Sequence, residues 1–322
     1  MSRVFFLSLF FLGLCAPFLS NDRPFLVNHG GRWYFPMFKH YAGQEFGLDQ
    51  IEEPDYLQFS ARAVFPPIRS GPYRTFEGAI PPSPPSREHW LGTDDRGRDL
   101  LSRLLYGLRN SLLFATATTL LNLIFAGLLG SVSAYFGKHV DLVTQRALEI
   151  VGALPPVFLF LAMASLGYIN WLTLILLWGG IGCVTFVQYV RGEVLRLKES
   201  DFVAAAQASG VGYWGLFGRH FLPNAAPILL GLVPFLFVWN IYVLTGLDYL
   251  GIGLPPPEPG LGDLIAQGRQ NLDAWWLVWS PIAVISALLI SLHRMASALR
   301  VKLDVKRYST ERFASSSLRT NT

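Results

Sequence analysis

Asp201-Phe202-Val203-Ala204-Ala205-Ala206-Gln207-Ala208-Ser209-Gly210-Val211-Gly212, continuing Tyr213-Trp214-Gly215-Leu216-Phe217-Gly218-Arg219-His220-Phe221-Leu222-Pro223-Asn224, is a polar, interrupted stretch between two apolar ones. Its alanine run favours helix. Gly210 and Gly212 predict a break or bend in that helix. Gly215 and Gly218 add weak points, and Pro223 is expected to stop whatever precedes it. The expected picture is two short helices bent at Gly210, held outside a membrane between two spanning helices. The small side chains then offer a shallow surface that another protein can approach closely.

The flanking composition supports a membrane setting. The chain has 322 residues, 52% hydrophobic and 15% charged, against about 25% charged in soluble domains. That excludes an ordinary soluble globule. Five apolar stretches are each about long enough to cross a bilayer core: roughly Ser111–Phe136, Val143–Leu166, Trp171–Val190, Ala225–Leu247 and Ala274–Leu292. Val4–Ser20 is also apolar and reads as an uncleaved first span, because no small-x-small cleavage site follows it. Small residues inside the spans (Gly127 with Gly130, and Gly179, Gly180, Gly182) suit close helix packing in lipid. Pro155-Pro156 and Pro234 are expected to kink their helices.

Charge distribution predicts orientation. Arg191, Arg196, Lys198 and Arg219 lie in the Arg191–Pro223 loop, and the tail from His293 carries seven Lys/Arg against two acids. The loop Asp248–Asp273 has one Arg and four acids. Six spans with both termini and the Asp201–Asn224 segment in the cytoplasm satisfy the positive-inside rule. Asn21–Arg109, rich in proline, then falls outside as extended, surface-lying chain with an aromatic cluster at Trp33-Tyr34-Phe35-Pro36.

The 201–224 segment resembles the Glu-Ala-Ala loop of permease subunits of ATP-binding-cassette importers. Ala205-Ala206, Gly210 and Leu222-Pro223 fall at that family's spacing. Ala204 stands where the acidic residue usually is, and His220 where an Ile is common. Two further strings carry the same resemblance. Gly92-Thr93-Asp94-Asp95-Arg96-Gly97-Arg98-Asp99 is similar to a signature of dipeptide and oligopeptide permeases, as is the loop Leu247–Asp263 before the last span. The opening Asn21–Pro36 resembles the branch that includes the inner-membrane permease of the microcin C and oligopeptide importer of Gram-negative bacteria. Related permeases carry a longer basic leader, which raises an upstream translation start as an expectation.

The resemblance implies an all-α multi-pass membrane protein with six transmembrane helices and the type I importer permease (MetI-like) fold. A long periplasmic segment would follow the first helix. The implied division is a first transmembrane helix over 1–20, a periplasmic segment over 21–109, the permease domain over 110–304 with its coupling loop 201–224, and a basic cytoplasmic tail over 305–322. In the family that loop docks on the ATPase subunit, so Ala204, Ala205, Ala206, Gly210, Arg219, Leu222 and Pro223 are the implied interface, with Arg196 a further charged anchor. The implied partners are a second homologous permease, cytoplasmic ATP-binding subunits, a periplasmic solute-binding protein, the bilayer of a bacterial inner membrane and a peptide-like substrate. Nickel or a sugar-linked solute on the same fold is the alternative cargo.

Other chemistries find little footing. No Gly-x-x-x-x-Gly-Lys-Ser/Thr phosphate loop is present, and Gly251-x-Gly253 lacks the third glycine and the lysine of a nucleotide loop. The scattered histidines and two cysteines give no catalytic triad or metal-ligand spacing. No catalytic residue, cofactor, metal or nucleic-acid partner is therefore expected, and the few mid-span ionisable groups argue against an ion-coupled carrier. Asp94, Asp95, Arg96, Arg98, Asp99 and Arg103 read as structural, with Asp99 and Arg103 placed to pair at i,i+4 on a helix start.

Overall fold

A computed structural model describes residues 2–48, 53–57, 62–76 and 80–319, with the side chains of 2–4, 62, 227–228 and 298–319 left aside. The protein is mostly helical: α1 Ser2–Leu14, α2 Ala16–Leu19, α3 Leu100–Phe136, α4 Lys138–Ala153, α5 Pro156–Ser165, α6 Trp171–Lys198, α7 Asp201–Ala208, α8 Tyr213–Leu216, α9 Leu222–Tyr249, α10 Leu261–Gln270 and α11 Trp275–Arg319. Three strands, β1 Leu26–His29, β2 Arg32–Tyr34 and β3 Arg62–Val64, precede α3. Among the described residues four helices are long and apolar enough to cross a membrane: Leu100–Phe136, Trp171–Lys198, Leu229–Tyr249 and Trp275–Ser297.

The expected single span Val143–Leu166 is instead two helices, α4 and α5, bent by 70°. Pro155-Pro156 causes the break: Leu154 is pushed to extended backbone before a proline, and Pro155 is itself extended. By contrast α9 runs through Pro234 as one helix. The first apolar stretch is also interrupted, at Cys15, and α1 has 13 residues, short of the ~20 that span a hydrocarbon core. The tail expected over 305–322 continues α11 as helix to Arg319; its charges lie outside the described side chains.

The chain divides into two compact units, each with its own core. In the first (Met1–Phe6, Leu113–Leu244, Leu288–Thr322), a methyl group at Gly130 would stand 2.7 Å from the Val187 carbonyl oxygen and one at Gly179 would meet Leu121, the close packing expected there, whereas Gly127 and Gly180 have nothing within 4 Å of where a Cβ would be. A buried chain of hydrogen bonds crosses three helices: Trp178 Nε1 donates to Asn240 Oδ1 (2.8 Å), and Asn240 Nδ2 donates to Thr119 Oγ1 (2.9 Å). In hydrocarbon such side-chain bonds tie helices that the hydrophobic effect alone would not hold.

The second unit (Leu7–Leu112, Thr245–Ala287) corrects the expectation of plain extended chain over Asn21–Arg109. β1 pairs antiparallel with both β2 and β3, and α3 already begins at Leu100. The hairpin closes through Gly30-Gly31, both at positive φ (58° and 79°), which a two-residue turn matched to strand twist requires. Val27, Phe46 and Tyr56 form a small core under Tyr34 and Tyr41.

Several charged residues of this unit, Asp94, Arg98, Asp99 and Arg103 among them, are buried rather than solvated. Asp94 Oδ1 accepts from the Arg96 and Arg98 amides (3.0 and 2.9 Å), while its Oδ2 takes the Arg98 guanidinium (2.7 Å from Nε). Burial first, then the neighbouring Asp94 carboxylate, pushes the Asp95 carboxyl above its usual range. The expected Asp99–Arg103 pair is not made. Asp99 caps the start of α3, accepting from the Ser102 amide (2.8 Å) and facing His89 Nδ1 (2.9 Å). Arg103 turns instead to Asp94 (3.2 Å) and Asp263 (3.2 Å). A carboxylate committed to orphan helix N–H groups is no longer free for the residue one turn on.

Candidate functional site

The 201–224 segment belongs wholly to the first unit, and its geometry follows from local rules. α7 ends in a Schellman motif. Gly210 N donates to Gln207 O (2.9 Å), Val211 N donates to Ala206 O (3.1 Å), and Gly210 sits at φ +78°. Ala206 and Val211, the residues such a motif brings into contact, both pack on the core beneath. α8 follows, then one turn of π geometry over Phe217–Phe221, then α9. Pro223 therefore does not stop a helix, as expected, but lies in the first turn of α9. Its missing N–H and its ring disturb the turn before it, and the chain absorbs this in the wide π turn.

Three buried side chains anchor the segment: Val203 from α7, Leu216 from α8 and Phe221 from the π turn pack with Val190, Val194 and Leu197 of α6 and Ala134 of α3. Tyr213 adds a polar tie, its hydroxyl 2.7 Å from Ser131 Oγ, with the Tyr135 ring 5.1 Å away. Burial pushes the Tyr213 hydroxyl above its ordinary value. Lys198 Nζ donates to Tyr135 O (2.8 Å) at the end of α3, where exposed carbonyls favour a cation. Close by, Arg191 of α6 forks onto Asp141 of α4 (2.7 and 2.5 Å), and Ser133 of α3 donates to the same carboxylate.

Ala204, Ala205, Gly210, Arg219, Leu222 and Pro223 are exposed, and Ala206 is half-buried. A Cβ at Gly210 would meet nothing within 4 Å. Phe202 lies 5.8 Å from His220, bringing α7 beside the π turn that carries Arg219. Arg196 is paired with Glu193, so the second expected anchor is already engaged. Sequence reasoning passed over Trp214, 69% exposed beside this surface. It also missed Ser131, Ser133 and Asp141, which stand far from it in the chain and carry no local pattern.

Among the described residues no group of three or more His, Cys, Asp or Glu side chains could hold a metal ion. Residues 126–304 match the family described as "Binding-protein-dependent transport system inner membrane component". The chain belongs to this family. It is 39% identical to "Inner membrane ABC transporter permease protein YejE" of Escherichia coli K12, over 93% of this chain and 91% of that protein. It is 34% identical to "Peptidoglycan transport system permease protein YejE" of Agrobacterium fabrum, over 94% and 88%. It is 30% identical to "Oligopeptide transport system permease protein OppC" of Mycobacterium tuberculosis, over 77% and 86%. A solved MetNI methionine transporter aligns with 62% of this chain and 97% of its own at 14% identity and a TM-score of 0.48, a likeness too distant to argue from.

Proposed function

We propose that this protein is the permease subunit of an ATP-binding-cassette importer and forms half of the path that carries peptides or peptide-like compounds across the inner membrane. The observation that carries the reading is the anchored, outward-facing small-residue helix Asp201–Ala208 with its left-handed Gly210. ATP-binding subunits dock there from the cytoplasm, a second homologous permease completes the path, and a solute-binding protein delivers cargo from outside. Six crossings follow when α1–α2 and the bent pair α4–α5 each count as one. Both termini then lie in the cytoplasm, and the sheet-bearing segment between α2 and α3 is periplasmic, consistent with the Lys/Arg distribution. The names of the relatives favour a peptide cargo. The peptidoglycan transport named for the Agrobacterium relative makes a sugar-linked peptide the second reading.

Reconstitution tests this. The purified chain alone hydrolyses no ATP above background, and ATP-driven uptake of short peptides into proteoliposomes needs the second permease, the ATPase and the binding protein together. Hydrolysis or uptake by this chain alone refutes the proposal. Competition by a muropeptide, but not by a plain tripeptide, selects the second reading.

A further inference from the structure

The periplasm-side sheet carries an apolar surface that its own core does not use, and it is continuous with a stripe on the first helices. Leu7, Phe11 and Leu14 lie on one face of α1 at spacings of four and three residues, and Phe18 follows on α2, past the break at Cys15. Their exposures are 59%, 68%, 39% and 47%. The opposite face is spoken for: Gly13 sits against Leu108 and Leu112 of α3, and the fully buried Ala16 packs with Leu105 and Tyr106. The stripe does not end with α2. The Phe18 ring stacks on Phe25 at 6.3 Å and meets Phe38 at 6.5 Å. Phe38 is 70% exposed. It is tied to the sheet by the Met37 amide, which donates to Pro24 O (3.2 Å), next to Phe25.

α3 supplies a depth scale. Its apolar run begins near Ser111, with charged and polar Arg103, Arg109 and Asn110 before it. Gly13, against Leu112, is therefore level with the edge of the hydrocarbon. Phe18 stands five residues further out, or roughly 8 Å at helical rise, within the ~5–10 Å headgroup zone where aromatic rings collect. Lys39 follows Phe38 and is exposed, its ammonium 5.2 Å from the Tyr41 ring centroid. His40 is 76% exposed beside it.

We propose that the β1–β3 sheet is a membrane-surface module. Phe18 and Phe38 seat it in the phospholipid headgroup region where α3 enters the bilayer, and Lys39 faces lipid phosphate. The occupant is lipid because exposed apolar side chains lead from the sheet through Phe18 of α2 to Leu14, Phe11 and Leu7 of α1, beside the stretch of α3 where its apolar run begins.

Site-directed spin labelling of the complete importer in phospholipid vesicles tests this, after Cys15 and Cys183 are changed to Ser. A nitroxide at Phe38→Cys is expected to collide with oxygen in preference to a water-soluble nickel chelate. Its oxygen-to-nickel ratio should be several-fold above that of a label at Glu45→Cys, an exposed position on the same module. A label at Lys39→Cys, where no packed ring is lost, should give an intermediate ratio and serves if the Phe38 variant fails to assemble. A Phe38 ratio equal to that at Glu45 overturns the proposal. So does a Phe38 label shielded from both reagents, which would mean a protein partner covers the patch. Shielding only after the solute-binding protein is added overturns it equally.

Discussion

Substituting Gly210 separates the fold of the segment from its use. Gly210 holds φ +78°, a region that costs an L-residue about 1–2 kcal/mol. No neighbour lies within 4 Å of where its Cβ would be. Within this chain Gly210→Ala and Gly210→Trp therefore carry the same backbone cost, ~1–2 kcal/mol, and Gly210→Asn carries less because asparagine tolerates the left-handed region. Thermal unfolding of the detergent-solubilised permease should rank glycine above asparagine, with alanine and tryptophan below and equal. A docked ATPase changes the ranking. An indole forced into a packed interface costs about 1–3 kcal/mol, roughly 5- to 150-fold in association. A pull-down titration with the ATPase subunit should thus place tryptophan far below alanine, and uptake should follow the pull-down rather than the unfolding temperature. Equal association and uptake for Gly210→Ala and Gly210→Trp would refute the assignment of this surface. Loss of both variants from the membrane fraction would show instead that the helix end is needed to fold.

Three further outcomes are expected. Ala205→Trp, on an exposed helical position with ordinary backbone, should leave the melting temperature within about 1 °C, since exposed sites change stability by under ~0.5 kcal/mol, yet abolish ATPase co-purification. Asp94→Ala strips the Arg96 and Arg98 amides of their acceptor and leaves the buried Arg98 without its pair, a loss of about 3–5 kcal/mol, which limited proteolysis of the second unit should detect. Reporter fusions at Pro72 and Pro257 should read as periplasmic, and at Gly212 and Ser316 as cytoplasmic; a cytoplasmic signal at Pro72 overturns the topology.

Local and tertiary causes divide cleanly along this chain. The spans on α3, α6, α9 and α11 are legible as apolar runs because a backbone in lipid must satisfy its own hydrogen bonds, and length and composition suffice to show where it does. Gly210 is legible for a similar reason: a helix end needing positive φ selects glycine on its own. The sheet before α3 had a local signal as well, the Gly30-Gly31 pair, but proline-rich surroundings masked it. Its strands are three or four residues long, and β3 joins from more than thirty residues away in register with β1.

Some pairings between charges are local, as for Asp94 with Arg98 and Glu193 with Arg196, but others were decided by tertiary structure. Asp99 and Arg103 have the spacing of a helical ion pair, yet Asp99 is consumed as a helix cap, and Arg103 reaches Asp263, 160 residues on. Ser131 and Asp141 likewise bear no sequence mark of their ties to Tyr213 and Arg191. A side chain's spacing says which partners it can reach along its own helix. Which one it takes depends on what else is buried beside it, because a desolvated charge binds the neighbours that satisfy it most fully, and those neighbours are brought by distant parts of the chain.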